Sequence, residues 1–159
     1  MDVALREITT ESVRAVCNLA VAEAQREYVA PNAVSIAEAH FVPTHWMRAI
    51  YVDGEPAGSV LTHEVPADGT YYLRRFMVDE RLQRRGVGRR AMELLLERWR
   101  GLGASAATLS VVPANPGAIT FYESLGFHLT GEEHGGEVIM RVELEPAHDF
   151  DDFRPRPES

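Results

Sequence analysis

The stretch from Thr70 to Phe127 leaves the chain few folds to choose from. It opens with a β run, Thr70 to Val78, followed by the polar turn Gln83-Arg84-Arg85-Gly86-Val87-Gly88. Between Gly88 and Leu102, apolar residues at Ala91, Met92, Leu95, Leu96, Trp99 and Leu102 recur at helical spacing, and Gly101 and Gly103 end that helix. Ala107 to Val111 is again strand-like. Asn115 can then cap, and Pro116 open, a helix that runs through Ile119, Tyr122 and Leu125 and stops at Gly126. A strand, a glycine turn, a long amphipathic helix, a second strand and a second helix need a sheet with helices packed on it.

The flanking segments extend that sheet. Val3 to Ile8 alternates as a strand, and Glu11 to Ala24 spaces Val13, Val16, Cys17, Ala20 and Ala24 as one face of a helix, which places Cys17 in the core. Tyr28-Val29-Ala30-Pro31-Asn32 interrupts this helix, and Ser35 and Glu38 have the spacing of a capping box opening a short helix through His40. Trp46–Val52, Ala57–Val65 and Thr70–Val78 read as three antiparallel strands, turning at Asp53-Gly54-Glu55-Pro56 and at residues 66–69. Two last strands, near Phe127–Thr130 and Val138–Leu144, flank Gly135-Gly136. The order predicts an α/β (α+β) single domain over residues 1–145, with a mixed, mostly antiparallel central sheet flanked by helices. Residues 146–159, with Asp149, Asp151, Asp152 and Glu158 among Pro155 and Pro157, form an acidic tail expected to be disordered or loosely docked.

Charge and composition narrow the partners. A net charge of −8, from 24 acidic and 16 basic residues, argues against free nucleic acid and for a small cation. No apolar run approaches the roughly 18 residues that span a bilayer, and the N-terminus lacks a signal-peptide pattern, so no membrane partner and a cytoplasmic location are expected. Six histidines without H-x-x-x-H or H-E-x-x-H spacing give no reason to expect a metal.

The turn carries the most specific chemistry. A helix N-terminus offers unpaired N–H groups and partial positive charge, and Gly86 and Gly88 let that backbone approach a pyrophosphate. Arg84, Arg85 and Arg89 add cations at the same mouth, whereas the lysine and Ser/Thr of a Walker A loop and the full G-x-G-x-x-G fingerprint are absent.

These residues resemble the GNAT superfamily of N-acetyltransferases, whose Q/R-x-x-G-x-G/A signature is matched by Gln83, Gly86 and Gly88. Leu109 to Phe127, with its Asn-led helix and closing Tyr-x-x-Leu-Gly-Phe, is similar to the family's second characteristic block, and the resemblance covers about residues 3–145. Tyr28–Asn32, Ser35–Ala39 and Leu73–Val78 are most similar to bacterial diamine and polyamine acetyltransferases.

The resemblance implies acetyl-CoA as co-substrate and a bulged strand whose Phe76, Met77 and Val78 backbone meets the pantetheine arm. The Val78 N–H would lie near the thioester carbonyl, the pyrophosphate on Arg84, Arg85, Gly86, Val87, Gly88 and Arg89, and Asn115 against the CoA arm while also capping its helix. Tyr122 matches the tyrosine that protonates the departing thiolate, a role suited to a phenol of ordinary pKa near 10. Packing in the core is the alternative for Tyr122.

Glu23, Glu27 and Tyr28, beside the segment that lines the amine site in similar enzymes, and Glu38 are the candidate substrate-binding groups; a solvated helix face is the alternative for the first two. Arg74 and Arg75 stand where eukaryotic polyamine enzymes of the family carry an acid. The expected activity is acetylation of a primary amine, a small diamine or polyamine, by direct attack in a ternary complex. A peptide N-terminus, an amino acid or an aminoglycoside-type amine is the alternative acceptor, and a non-catalytic CoA sensor the alternative class. Similar enzymes are commonly homodimers, which the resemblance extends to this chain.

Overall fold

A computed structural model describes residues 1–65 and 68–145; the acidic tail and part of the 66–69 turn lie outside the described residues. The strands are β1 (Val3–Arg6), β2 (His45–Val52), β3 (Glu55–His63), β4 (Thr70–Val78), β5 (Ala106–Val111), β6 (His128–His134) and β7 (Glu137–Glu143). They form one sheet in the order β1-β2-β3-β4-β5-β7-β6. Only β4 and β5 are parallel neighbours, and the helix α3 (Val87–Gly101) makes the crossover that a parallel pair needs. The remaining helices are α1 (Val13–Cys17), α2 (Asn32–Phe41) and α4 (Pro116–Glu123). The α/β domain with a mixed, mostly antiparallel sheet is therefore as expected, and β4 has the bounds read from the sequence.

Helix α3 anchors the core. Its Met92, Leu95, Leu96 and Trp99 are at most 4% exposed and pack with Tyr71, Leu73, Leu109 and Met140. At roughly 1.5–3 kcal/mol for each large apolar side chain removed from water, these contacts outweigh any propensity term in holding α3 to the sheet. The Trp99 indole N–H donates to Glu64 at 3.1 Å, and Glu64 also takes two hydrogen bonds from Arg98. The one polar atom of this large ring is thus satisfied where it is buried.

Strand β4 changes faces partway along. Leu61 of β3 pairs with Arg75 but Thr62 pairs with Leu73, so Arg74 is an extra residue without an opposite number. Before it, Tyr71 and Leu73 point at α3; after it, Phe76 and Val78 pack with Val87 and Ala91 of α3, while Arg75 reaches α2. Without the bulge, strict alternation would turn Arg75 and Met77 toward α3 instead.

Three expectations for the N-terminal part are corrected. The helix predicted over Glu11–Ala24 is the five-residue α1, and only a 3₁₀ turn, Glu23–Gln25, follows. A tertiary contact wins over spacing here: the Ala20 N–H donates to Asp79 Oδ2 at 3.1 Å and the Ala20 carbonyl accepts from the Glu80 N–H at 2.9 Å. These bonds pull residues 19–21 out along the end of β4, where Leu19 and Val21 bury against Met77. Cys17, placed in the core by the same spacing, is exposed, and Val16 is the residue of α1 that is fully buried.

The capping box is also absent, because α2 begins at Asn32, three residues before Ser35. Asn32 is buried there, donating to the Val16 carbonyl at 2.8 Å and accepting from Ser59 Oγ at 2.8 Å. Ser35 and Glu38 instead meet the guanidinium of Arg75.

Candidate active site

Strands β4 and β5 pair only from Thr70 to Leu73 and from Ala106 to Leu109. Beyond that point β4 stays with β3, β5 stays with β7, and a wedge opens between them. The Asp79 N–H bonds the Ala57 carbonyl toward β3 at 2.8 Å, so by strand alternation the backbone groups of Phe76 and Val78 face the wedge. The Val78 carbonyl indeed accepts from Gln83 Nε2 on that side at 2.9 Å.

Two connected spaces fill the wedge. The loop half, about 430 Å³, is bounded by Met77, Val78, Gly86, Gly88 and Arg89, and the wide half, about 630 Å³, by Tyr28, Tyr72, Arg75, Ser110 and Glu137. Val29, Phe76, Asn115, Ala118 and Tyr122 border both and mark the junction.

Local backbone conformation shapes the loop half. Gly86 has φ +82° and forms the N-cap of α3, and Arg84 has φ +62°. The left-handed turn aims the unpaired first-turn N–H groups of α3 at the cleft, an arrangement that suits an anion. Gly88 has no positive φ, and a Cβ there would make ordinary contacts of 3.6 Å with the Phe76 and Phe121 rings. Gln83 donates to Gln25 Oε1 at 2.9 Å as well as to Val78, and so fastens the turn to the end of β4. Arg84 and Arg89 border this half, whereas Arg85 is exposed outside it. The Arg89 guanidinium also donates to Ser124 and pairs with Glu93.

At the junction, the Tyr122 ring packs edge-on against Phe121 and Phe127, with centroids 5.1 and 5.8 Å away. Burial pushes its phenol well above the ordinary value, so the hydroxyl stays protonated across the physiological range. Asn115 Oδ1 accepts from the Ala118 N–H at 3.4 Å, as the N-cap expectation required.

Of the four acceptor-side residues singled out in the sequence, the structure brings two to the cleft. Glu27 and Tyr28 border the wide half; Glu23 and Glu38 border neither half. Glu38 is held by Arg75 at 2.9 Å and Arg74 at 3.4 Å, and its hydrogen bond from Arg75 outweighs desolvation to lower its carboxyl below the ordinary range.

The wide half also contains Glu137, an acid that sequence reasoning did not single out. It begins β7, reaches the cleft only through the pairing of β7 with β5, and accepts from Ser110 Oγ at 2.9 Å. In sequence it follows Gly135-Gly136 in a polar hairpin, and nothing local distinguishes it from its neighbours.

The cleft is thus a wedge between splayed strands, floored by a helix N-terminus behind a glycine turn. Residues 5–127 match the Acetyltransferase (GNAT) family, and the chain belongs to it. It is an acetyl-CoA-dependent N-acetyltransferase.

The chain is 26% identical over 152 residues to the spermine/spermidine N(1)-acetyltransferase of Bacillus subtilis, covering 91% of this chain and 100% of that protein. It is 36% identical over 101 residues to the [ribosomal protein bS18]-alanine N-acetyltransferase of Salmonella typhimurium, covering 58% and 67%. Its fold is similar to that of the PaiA N-acetyltransferase from Thermoplasma acidophilum, solved in complex with coenzyme A, with a TM-score of 0.70, 13% identity and coverage of 90% and 99%. Among the described residues, no helix is long and apolar enough to cross a membrane.

Proposed function

We propose that this chain transfers the acetyl group of acetyl-CoA to a primary amine of a small diamine or polyamine, by direct attack in a ternary complex. The observation that carries the acceptor class is the pair of carboxylates, Glu27 and Glu137, that border the wide half and form no ion pair among the described residues, while Glu38 pairs with the nearby Arg74 and Arg75 and offsets one of their two charges. Carboxylates free of cationic partners suit an ammonium. End-to-end similarity to a spermine/spermidine enzyme supports the same class.

In this reading the pyrophosphate sits on the turn from Arg84 to Arg89, and the pantetheine arm follows the wedge-facing backbone of Phe76 and Val78. The Val78 N–H faces the acetyl carbonyl and stabilises the negative charge that builds on its oxygen during attack. The amine lone pair forms the C–N bond, the C–S bond breaks, and Tyr122 gives its proton to the departing sulfur. The nitrogen loses a proton and becomes a neutral amide, which restores Tyr122.

A second reading, acetylation of a peptide N-terminus, draws on the 36% identity to the ribosomal-protein enzyme. CoA release measured with spermidine, spermine, 1,4-diaminobutane, an alanyl peptide and an aminoglycoside separates the two. The polyamine reading expects the highest kcat/KM among the first three, and a preference for the peptide replaces it with the second reading.

A further inference from the structure

The family assignment leaves open where the proton of the attacking amine goes, since an amine of ordinary pKa near 10 reaches the cleft as an ammonium without a lone pair. Three polar side chains of the wide half answer this. Tyr72 Oη lies 2.7 Å from Ser110 Oγ, and Ser110 Oγ lies 2.9 Å from Glu137 Oε2. They come from β4, β5 and β7, three strands brought side by side by the parallel β4–β5 pair and the antiparallel β5–β7 pair, and all three border the wide half, as Tyr122 does.

The polarity of this chain follows from its last member. An ionised carboxylate only accepts, so the single hydroxyl proton of Ser110 is committed to Glu137, and Tyr72 must donate to Ser110. That leaves the lone pairs of the Tyr72 oxygen for a donor arriving from the cleft. An ammonium is such a donor.

We propose that Tyr72, Ser110 and Glu137 form the proton relay that deprotonates the acceptor, with Glu137 as its terminal proton acceptor and Ser110 as the residue that positions the link. The inference rests on the acetyl-transfer reading of this cleft, and it holds for any primary amine. The ammonium N–H bond breaks toward Tyr72, the Tyr72 proton passes to Ser110, and the Ser110 proton passes to Glu137. Ammonium and carboxylate become amine and carboxylic acid, and the electron pair left on nitrogen attacks the acetyl carbon.

In open water this transfer runs about 6 pK units uphill. Excluding water on binding penalises charge on both partners and so lowers the cost of the transfer. Glu137 then releases its proton to solvent.

The groups that can modulate Glu137 are His134, opposite it across the β6–β7 hairpin, and those that border the same space: Tyr72, Arg74 and Arg75 from β4, Arg26 and Glu27 from the segment before α2, and Tyr122 from α4. Glu38 pairs with the two arginines of β4 and offsets one of their charges, while the carboxylates of Glu27 and Glu137 face the same space.

The test is the pH profile of kcat/KM, read with spermidine and with an alanyl peptide on the parent, Glu137→Gln, Ser110→Ala, Tyr72→Phe and the Ser110→Ala/Glu137→Gln pair. At pH 7 each single variant is expected to lose about 10²-fold or more. The loss should shrink as the pH nears the pKa of the amine, where free amine needs no acceptor, while the Kd for acetyl-CoA holds. The double variant should be no worse than the worse single, because the three residues act as one unit.

Retention of kcat/KM within about twofold, a loss of equal size at every pH, or additive losses overturns the relay. A parent that ignores spermidine and turns over the peptide unseats the polyamine reading, and the ratio of variant to parent on the peptide then decides the relay.

Discussion

Along the loop half of the cleft the surfaces are largely backbone: the left-handed turn at Arg84 and Gly86, the first-turn N–H groups of α3 and the wedge-facing edge of β4. Along the wide half they are side chains drawn from the segment before α2, from β4, from β5 and from β7. Backbone groups point where local conformation sends them, whatever the neighbouring side chains are, and suit a ligand that does not vary. Side chains converging from four stretches can each be exchanged, which suits the partner that distinguishes one acetyltransferase from another. On the proposed placement of cofactor and acceptor, the cleft separates what is common to the reaction from what is particular to the acceptor.

The strongest challenge to this division lies at the junction. If Tyr122 has its proposed role, Tyr122→Phe lowers kcat by about 10²- to 10⁴-fold with chemistry limiting, while calorimetry shows an unchanged Kd for acetyl-CoA. A full kcat would return Tyr122 to packing and leave the junction without a proton donor.

Next in size is Gly86→Val. A left-handed conformation costs a non-glycine residue about 1–2 kcal/mol, and a β-branched one more, so the Kd for acetyl-CoA is expected to rise roughly tenfold. Gly88→Ala, which meets only ordinary contacts, should stay close to the parent. Equal effects at the two positions would mean that space, not backbone conformation, governs the loop half.

Asp79, which holds residues 19–21 along the end of β4, gives a stability test. It is buried; burial opposes its charge, but hydrogen bonds from Arg81 and from the Ala20 N–H prevail and hold its carboxyl below the ordinary value. A depressed native pKa stabilises the fold above the ordinary carboxylate range near 3.9, and that contribution is lost as the pH falls through the native value. Asp79→Asn is expected to cost about 1–3 kcal/mol at pH 7, seen as a Tm lower by several degrees, with the gap to the parent narrowing below about pH 4. A constant gap across that range would assign the loss to shape and not to charge.

The smallest expected effect belongs to the wide half. Glu38→Gln releases Arg74 and Arg75 beside the acceptor and should raise the KM for spermidine about two- to fivefold at low salt, and less as salt screens the charges. The Kd for acetyl-CoA is the control. If both constants rise together, the halves are not independent.

The same division governs what the sequence makes legible. The glycine turn ahead of the long helix, Asn115 capping ahead of Pro116 and the β run from Thr70 to Val78 are local events, and each stands in the structure where the residues place it. The N-terminal part is settled by distant partners. Asp79 draws Ala20 out of a helix that spacing alone would continue, which leaves Cys17 in solvent, and Arg75 takes the side chains of Ser35 and Glu38 that would have closed a capping box. Glu137 is the extreme case, because only the pairing of β7 with β5 turns a hairpin acid into a wall of the cleft.

The extra residue Arg74 makes the pairing of β4 with β3, and not only side-chain identity, a determinant of which face each residue from Arg75 to Val78 presents. Removing Arg74 would close the bulge and leave Arg75 to Val78 on the faces they now occupy, because Leu73 and Arg75 already pair with the adjacent Thr62 and Leu61. Pairing it in a regular strand, with every residue kept, would instead turn the Arg75 guanidinium to the leucine-rich side beneath α3, away from Glu38, and take Phe76 out of the stack it makes with Phe121. Single substitutions along this strand therefore change one contact at a time, whereas loss of the bulge with every residue kept would exchange the two faces in one step. Comparison of this segment with a relative that lacks the bulge will pair residues from opposite sides of the sheet unless the alignment opens a gap at Arg74.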